Sequence, residues 1–318
     1  MSTRAGFVAI AGRPNAGKST LLNRVVGGEV SIVTPKAQTT RERVLGILTQ
    51  NDGQIVFIDT PGIHRAREGG INHFMVEEAR EALQDVSAVW YLVDPRSEVQ
   101  HETVVLELLR KVKAPIFLVM NKGDMCERPP LSEQRSGLRD RLMLSAREMG
   151  IEFKASHDVS ARTGLGVEGL LSATWQLIPE SPFYYEDPDQ LSDRPVRYFV
   201  AEKVREQLLL RLGEEVPYSC AVEIESFDEQ AKPPRIEAVI HVERDSQKGI
   251  VIGKGAQKIK EIGQAARERI EDFLGGRVHL GLRVKVLPEW SRDPHRLERL
   301  GYILPNQRGA GSRRENRR

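Results

Sequence analysis

Gly12-Arg13-Pro14-Asn15-Ala16-Gly17-Lys18-Ser19 decides how this chain is read. The octet fits G-x-x-x-x-G-K followed by Ser or Thr, the spacing of a phosphate-binding loop. Gly6 to Ala11, ahead of it, is a short apolar run suited to a buried strand. Thr20 to Val26, behind it, places apolar residues on a helical period, and Gly27-Gly28 stops that helix. The glycines therefore lie between a strand and a helix. Backbone N–H groups of such a loop face phosphate oxygens, and the positive end of the helix adds to them. Lys18 is placed to reach the outer phosphates and the Ser19 hydroxyl to ligate Mg²⁺. Gly12, Arg13, Pro14, Asn15, Ala16, Gly17 and Thr20 complete the nucleotide contacts predicted here. The alternative is a structural Gly-rich turn, against which Lys18, Ser19 and both flanks argue.

The length of 318 residues suits about two domains. Hydrophobic content of 40% and charged content of 29% are ordinary for a soluble globular protein. No apolar run approaches the roughly 20 residues needed to span a bilayer. Met1 to Ala5 leads straight into the first strand, so no signal peptide is expected. Cys126 and Cys220 are too few and too far apart for a disulfide framework, which suits a reducing cytoplasm. The net charge of +2 is uneven. Lys254 to Arg318 holds sixteen Lys and Arg against eight Asp and Glu. A basic end on a near-neutral chain predicts a polyanionic partner, nucleic acid or acidic lipid.

Residues 1–178 alternate strand and helix patterns. Arg43–Thr49 and Gln54–Ile58 read as a strand pair joined by Gln50-Asn51-Asp52-Gly53. Val86–Val93 and Pro115–Met120 are near-continuous apolar runs, as central parallel strands are. Helices are predicted near 73–84, 99–112, 131–148 and 167–177. The pattern predicts an α/β doubly wound, mostly parallel sheet, with ligands beyond the carboxyl ends of its strands. Asp59-Thr60-Pro61-Gly62 lies at such an end. Asp59 is placed to help hold Mg²⁺, and Gly62 offers a backbone N–H and a pivot near the terminal phosphate. Asn121-Lys122-Gly123-Asp124 lies at another. The Asp124 carboxylate can accept two N–H bonds from guanine, a donor pair that adenine lacks. Asn121 can tie this site to the phosphate loop, and the Lys122 stem can cover the base. Ser160-Ala161 is expected to complete the base pocket with a backbone N–H. Thr34 to Arg41 is a polar loop with a threonine pair, of which Thr40 is favoured over Thr39 to join Mg²⁺.

This ordered set resembles the translation-factor-like GTPases, and specifically the Era family of bacterial GTPases. The G-R-P-N-x-G-K-S-T, K-A-Q-T-T-R, D-T-P-G and N-K-x-D segments stand here in order, and the resemblance covers nearly the whole chain. It implies a P-loop G domain that hydrolyses GTP to GDP with Mg²⁺, with Lys18, Asp59, Gly62 and Thr40 as catalytic contributors. It implies a monomer that binds 16S rRNA near its 3′ end and serves the 30S subunit. Ile63 follows Gly62 where Ras-like proteins carry a water-orienting glutamine; its side chain is expected against apolar surface, and it is counted among the nucleotide-contacting residues. Asn15 stands where related GTPases hold K⁺, so K⁺ is a candidate further ion. A turn residue after Pro14 is the equal alternative.

Residues 179–195 are Pro-rich and acidic and read as an ordered or semi-rigid linker. A second pattern fills 196–304. A helix is predicted over Arg197–Leu212, strands over Ser219–Glu225 and Arg235–Val242, and a glycine-rich segment over Lys248–Gly263. A helix to Leu274 and a strand through Val278–Val286 follow. This segment resembles the type II KH module of the same family, an α+β domain whose G-x-x-G loop clamps single-stranded RNA. Here the tetrad is Gly253-Lys254-Gly255-Ala256, and its last residue, alanine, is small enough for a close backbone approach yet resists positive φ. Lys254, Lys258 and Lys260 are the predicted phosphate contacts and Ile252 the base-facing surface. Trp290 to Tyr302 is expected as a final short helix, and the basic tail 305–318 as disordered. Two other classes compete with this reading. A P-loop metabolic kinase would favour adenine. A membrane-surface division GTPase would rest its basic end on the inner face of the cell membrane.

Overall fold

The computed structural model describes residues 3–63, 69–125 and 130–304. Cys126 and the 305–318 tail lie outside them. Strands β1 (Arg4–Gly12), β2 (Val44–Gln50), β3 (Gly53–Asp59), β4 (Ala88–Val93), β5 (Ile116–Met120) and β6 (Phe153–Asp158) form one sheet in the order β2-β3-β1-β4-β5-β6. Only β2 runs antiparallel to its neighbour. Helices α1 (Lys18–Val26), α2 (Gly70–Glu81), α3 (Val99–Leu109), α4 (Leu131–Glu148) and α5 (Val167–Trp175) cover both faces. The cause is in the strands. β3, β4 and β5 are buried along their whole length, so each face needs an apolar lid. One core gathers Val8, Ile10, Leu21, Phe57 and Trp90. The other gathers Ala9, Ala11, Tyr91, Leu106 and Leu118. Alternate residues of β1 thus feed opposite cores, as the period of a strand requires.

The second sheet holds β7 (Ala221–Asp228), β8 (Arg235–Val242) and β9 (His279–Val286). β7 and β8 are antiparallel, and β8 and β9 parallel. Helices α6 (Val196–Arg211), α7 (Asp245–Ile252) and α8 (Gln257–Leu274) pack on it through Val200, Val204, Ile240, Val251, Ile262 and Ile270. Helix α7 and the start of α8 at Gln257 correct the sequence expectation, which reads Lys248–Gly263 as one glycine-rich segment ahead of the helix. Gln247 accepts the N–H groups of Glu243 and Arg244, starting α7. Buried Val251 then fastens it to the core despite Gly249.

Residues 179–195 are sewn onto the first domain. Buried Gln54 accepts the amides of Tyr184 and Tyr185 and donates to the Tyr185 carbonyl. Ile47 N–H donates to Leu191 O at 2.9 Å, and Ser192 Oγ to Leu45 O at 2.6 Å. Arg194 bonds Glu42 and the Arg43 carbonyl. The last helix, α9 (Pro294–Arg299), is capped by Asp293, whose side chain accepts from His295 and Arg296. It packs with Trp290 on Ala221 and reaches Ile71 of α2. Ile71 N–H donates to Ser291 O at 2.7 Å, and Phe74 meets Tyr302 edge-on at 5.5 Å.

Candidate functional site

The loop between β1 and α1 is shaped by left-handed residues. Asn15 has φ 62° and Gly17 has φ 97°. Gly17 also lacks room for a Cβ, because the Asn121 amide fills that space. Gly62 is equally confined: a Cβ would lie 2.7 Å from Pro14 Cα. Lys18 is buried, with Nζ donating to the carbonyls of Gly12 at 3.1 Å and Arg13 at 3.0 Å. Burial pulls its ammonium down to about 8, against the pull of the Asp59 and Glu102 carboxylates. A buried cation with only carbonyl partners is suited to a phosphate.

Around Lys18 the structure gathers Ser19, Thr40 and Asp59. Ser19 Oγ donates to Asp59 Oδ2 at 2.6 Å and lies 3.0 Å from Thr40 Oγ1. Ser31, which the motifs did not mark, donates to the same Oδ2 at 3.0 Å. Thr39 faces elsewhere, with its hydroxyl on Thr34 Oγ1 and Lys36 O, both at 2.7 Å. Asp59 is fully buried, and its Oδ1 has no hydrogen-bond partner. Burial raises its carboxyl above the usual range, while Lys18 and the hydroxyls of Ser19, Ser31 and Thr40 oppose the rise. One orphaned carboxylate oxygen beside two hydroxyls is a hard-oxygen donor set that fits Mg²⁺. Mg²⁺ is commonly held by one or two protein oxygens together with waters and substrate phosphates, a pattern this donor set suits. The adjoining cleft is lined also by Ile32, Val33, Thr34 and Gln38. Thr34 and Gln38 belong to the polar threonine-pair loop read from the sequence, whereas Ile32 and Val33 carry no motif.

Asn121 joins the phosphate end to the base end. Its Nδ2 donates to Ala16 O at 2.7 Å, and its Oδ1 accepts from Ala161 N–H at 2.9 Å. The Ala161 amide is therefore taken by Asn121. Ser160 Oγ donates to Asp124 Oδ1 at 2.6 Å, and Arg162 pairs with Oδ2 at 2.6 Å. The Ser160 bond holds the Asp124 carboxyl below its usual range, with Arg162 adding to it. Arg162 is largely exposed, so a base presenting two N–H donors can take its place. Lys122 Nζ bonds Asn15 O at 2.8 Å and Asp94 Oδ2 at 2.7 Å. Burial works upward on Asp94, yet hydrogen bonds from Arg96 and Lys122 hold it at about 2.

Two predicted nucleotide contacts sit differently. Ile63 is buried in the apolar core, and its N–H donates to Gly12 O at 3.1 Å, so its side chain faces away from the cleft. Thr60 is buried with its hydroxyl on Ile10 O at 2.9 Å. Arg13 and Pro14 lie within the loop, and Pro14 lines the cleft. Asn15 Nδ2 donates to Pro35 O at 3.1 Å. Thr20 lies on the cleft wall.

On the second domain, Gly253, Gly255 and Ala256 all have positive φ, at 71°, 57° and 60°. The turn between α7 and α8 thus imposes on Ala256 the left-handed conformation its side chain resists, at a cost of about 1 kcal/mol. Gly253 has no room for a side chain: a Cβ would lie 2.6 Å from Lys258 Cβ. Gly255 faces open space, which leaves its backbone approachable. Lys254 and Lys260 are exposed, whereas Lys258 is paired with Glu261 at 2.8 Å. Ile252 is half-buried against the core, and the neighbouring Ile250 is the exposed apolar residue of α7.

A family profile described as "50S ribosome-binding GTPase" matches residues 7–122, and one described as "KH domain" matches 215–291. A protein of Staphylococcus haemolyticus named GTPase Era is 39% identical over 302 residues, covering 94% of this chain and 97% of that protein. The GTPase Era of Coxiella burnetii is 43% identical over 304 residues, covering 94% and 98%. Among solved structures, an Aquifex aeolicus Era variant bound to GDP and AlF4⁻ superposes with TM-score 0.86 at 35% identity, over 95% of this chain and all of that one. Era in complex with MgGDPNP and nucleotides 1506–1542 of 16S ribosomal RNA does so with TM-score 0.86 at 36% identity, with the same coverage.

Proposed function

This chain belongs to the Era GTPase family, and on that premise we propose that it is a GTP-hydrolysing switch that binds 16S rRNA near its 3′ end and assists maturation of the 30S subunit. The observation that carries the reading is one cleft with two chemically distinct ends. Lys18, Ser19 and Asp59 stand at the phosphate end and Asp124 at the base end, and Asn121 ties the two together. Asp124 accepts the two N–H donors of guanine; adenine would leave the carboxylate unpaired. Lys18 and the loop amides hold the β- and γ-phosphates in line for attack by water. Ser19, Thr40 and Asp59 are the groups that would hold Mg²⁺. When bound, Mg²⁺ neutralises charge developing on the phosphate oxygens. Gly62 supplies a backbone N–H to the terminal phosphate. Ile63, packed in the core, offers no group to orient water, so unaided turnover is slow. Asn15 keeps a carboxamide oxygen suited to K⁺, which would add positive charge where an arginine finger otherwise acts.

The turn Gly253–Ala256, with Lys254 and Lys260 beside it, is assigned to the RNA backbone, and Ile252 and Ile250 to its bases. The description naming the 50S subunit belongs to a profile that ends at residue 122, before this turn begins. The structurally similar Era that carries a 16S rRNA fragment spans both domains. We place the protein in the cytoplasm as a monomer. Competition of GTP, GDP and ATP for the purified protein, with the 16S 3′-end oligonucleotide bound by the wild type and by Gly253→Asp, tests the reading. GTP and GDP should displace a fluorescent guanine nucleotide at concentrations at which ATP does not. Equal displacement by ATP, or equal RNA binding by the variant, refutes it.

A further inference from the structure

Two arginines from different domains meet around one threonine. Arg41, on the loop between α1 and β2, reaches into the second domain. Its Nη1 donates to Cys220 O and its Nη2 to Tyr218 O, each at 2.8 Å, while the guanidinium lies 5.5 Å over Trp290. Arg205, on α6, reaches the opposite way. Its Nη2 donates to Thr39 O at 2.5 Å. The guanidinium is buried, and Glu202 grips it through Nε at 2.7 Å and Nη2 at 2.5 Å. Lys36 Nζ adds a bond to Leu212 O. Thr40 stands between these anchors.

The Thr39 carbonyl and the Thr40 nitrogen belong to one planar peptide unit, so fixing the first orients the second. Thr39 has turned its own hydroxyl back into the loop, which leaves its carbonyl to face Arg205. Thr40 is thereby held with its hydroxyl toward Ser19. We propose that Arg205, a residue of the RNA-binding half of the chain, is a positioning residue for GTP hydrolysis, acting by holding Thr40 in place through the Thr39 carbonyl. The proposal rests on the reading above, in which Thr40 joins the Mg²⁺ site.

The test uses the full-length protein. Arg205→Met removes the donors and keeps much of the stem; Arg205→Lys keeps the charge and a single donor nitrogen without the planar fork. GDP affinity should stay within about twofold, since the phosphate loop and Asp124 are untouched. Single-turnover hydrolysis at saturating GTP should fall roughly tenfold for Arg205→Met and less for Arg205→Lys. On a Thr40→Ala background the Arg205→Met change should cost nothing more, whereas a residue that merely glues the domains would cost the same on either background. A second readout needs no turnover. Amide hydrogen exchange across residues 38–41 should rise about tenfold in Arg205→Met with GDP bound, while exchange in β1 and β5 stays unchanged. If Arg205→Met does not fold, Glu202→Gln, which loosens the guanidinium, should give a smaller shift of the same sign in both readouts. Wild-type hydrolysis with unchanged exchange overturns the proposal, as does an added loss on the Thr40→Ala background. A Thr40→Ala variant as active as wild type would remove the Mg²⁺ assignment and this proposal with it. Full activity in Arg205→Met beside an impaired Thr40→Ala would remove this proposal alone.

Discussion

Replacing Asn121 with alanine should separate the two ends of the nucleotide cleft. The amide makes two buried bonds, to Ala16 O at 2.7 Å and from Ala161 N–H at 2.9 Å. Removing it leaves a carbonyl in the phosphate loop and an N–H in the base loop without partners. Each unsatisfied buried group costs about 1–3 kcal/mol. The cavity left by the amide admits water beside Gly17, which returns part of that cost, so we take about 3 kcal/mol in total. The bound nucleotide needs both loops in register, so the loss appears as affinity. At 1.4 kcal/mol per tenfold, the expected weakening is about 100-fold for GDP. Titration with a fluorescent GDP measures it directly. Thermal unfolding of the same samples checks that the second domain still melts as in the wild type. GDP affinity within about threefold of wild type in a folded Asn121→Ala protein would refute the claim that this side chain couples the loops.

Two further outcomes follow from the ionisation of buried and interfacial groups. Burial pushes the Cys220 thiol up to about 12, with Arg41 opposing. In a Cys126→Ser background the native protein should therefore react with a thiol reagent near pH 8 at least ~100-fold more slowly than the urea-unfolded chain; comparable rates would contradict the buried position. Glu29 bridges the domains through Lys203 at 2.5 Å and Arg269 at 2.8 Å. Burial works upward on its carboxyl, but hydrogen bonds and charge from Lys203 and Arg269 prevail and hold it below 4.5. The folded value is lowered, so the contribution is complete above 4.5 and disappears as pH falls through the folded value. The stability gap between wild type and Glu29→Gln should be at most about 1 kcal/mol, because the carboxylate is half-exposed. It should close only in acid, and urea melts from about pH 7 to pH 3 that show a constant gap would contradict the pairing.

Which parts of this molecule the sequence reveals depends on the range of the interaction. The phosphate loop is local: eight residues with fixed spacing, flanked by an apolar run and a helical period. Asp59 and Asn121 are legible because each ends a buried strand, where the sheet delivers ligand groups. Helix α7 is not legible. Its Ile250-Val251-Ile252 run carries strand propensity between two glycines, and only Gln247 at its start and Val251 in the core decide the matter. Arg41 closes the K-A-Q-T-T-R segment and Arg205 lies in no motif, but nothing local marks either as an anchor between domains, and only tertiary packing buries both. Ser31 and Ile32 join the cleft for the same reason. Ala256 shows the converse: propensity argues against its backbone conformation, and the turn overrides it.

The segment that joins the two domains lies along β2, the outermost strand of the larger sheet, with Leu191 and Ser192 bonded to Ile47 and Leu45. A bare outer strand is a template on which a foreign chain can polymerise. Here the tether itself occupies that template, so it doubles as a guard against self-association. It also leaves little slack, since Arg194 is still fastened to Glu42 and α6 begins at Val196. A protease that nicks the acidic stretch between Glu186 and Gln190 would thus do more than free one half from the other. It would loosen the guard, and such preparations are expected to clump.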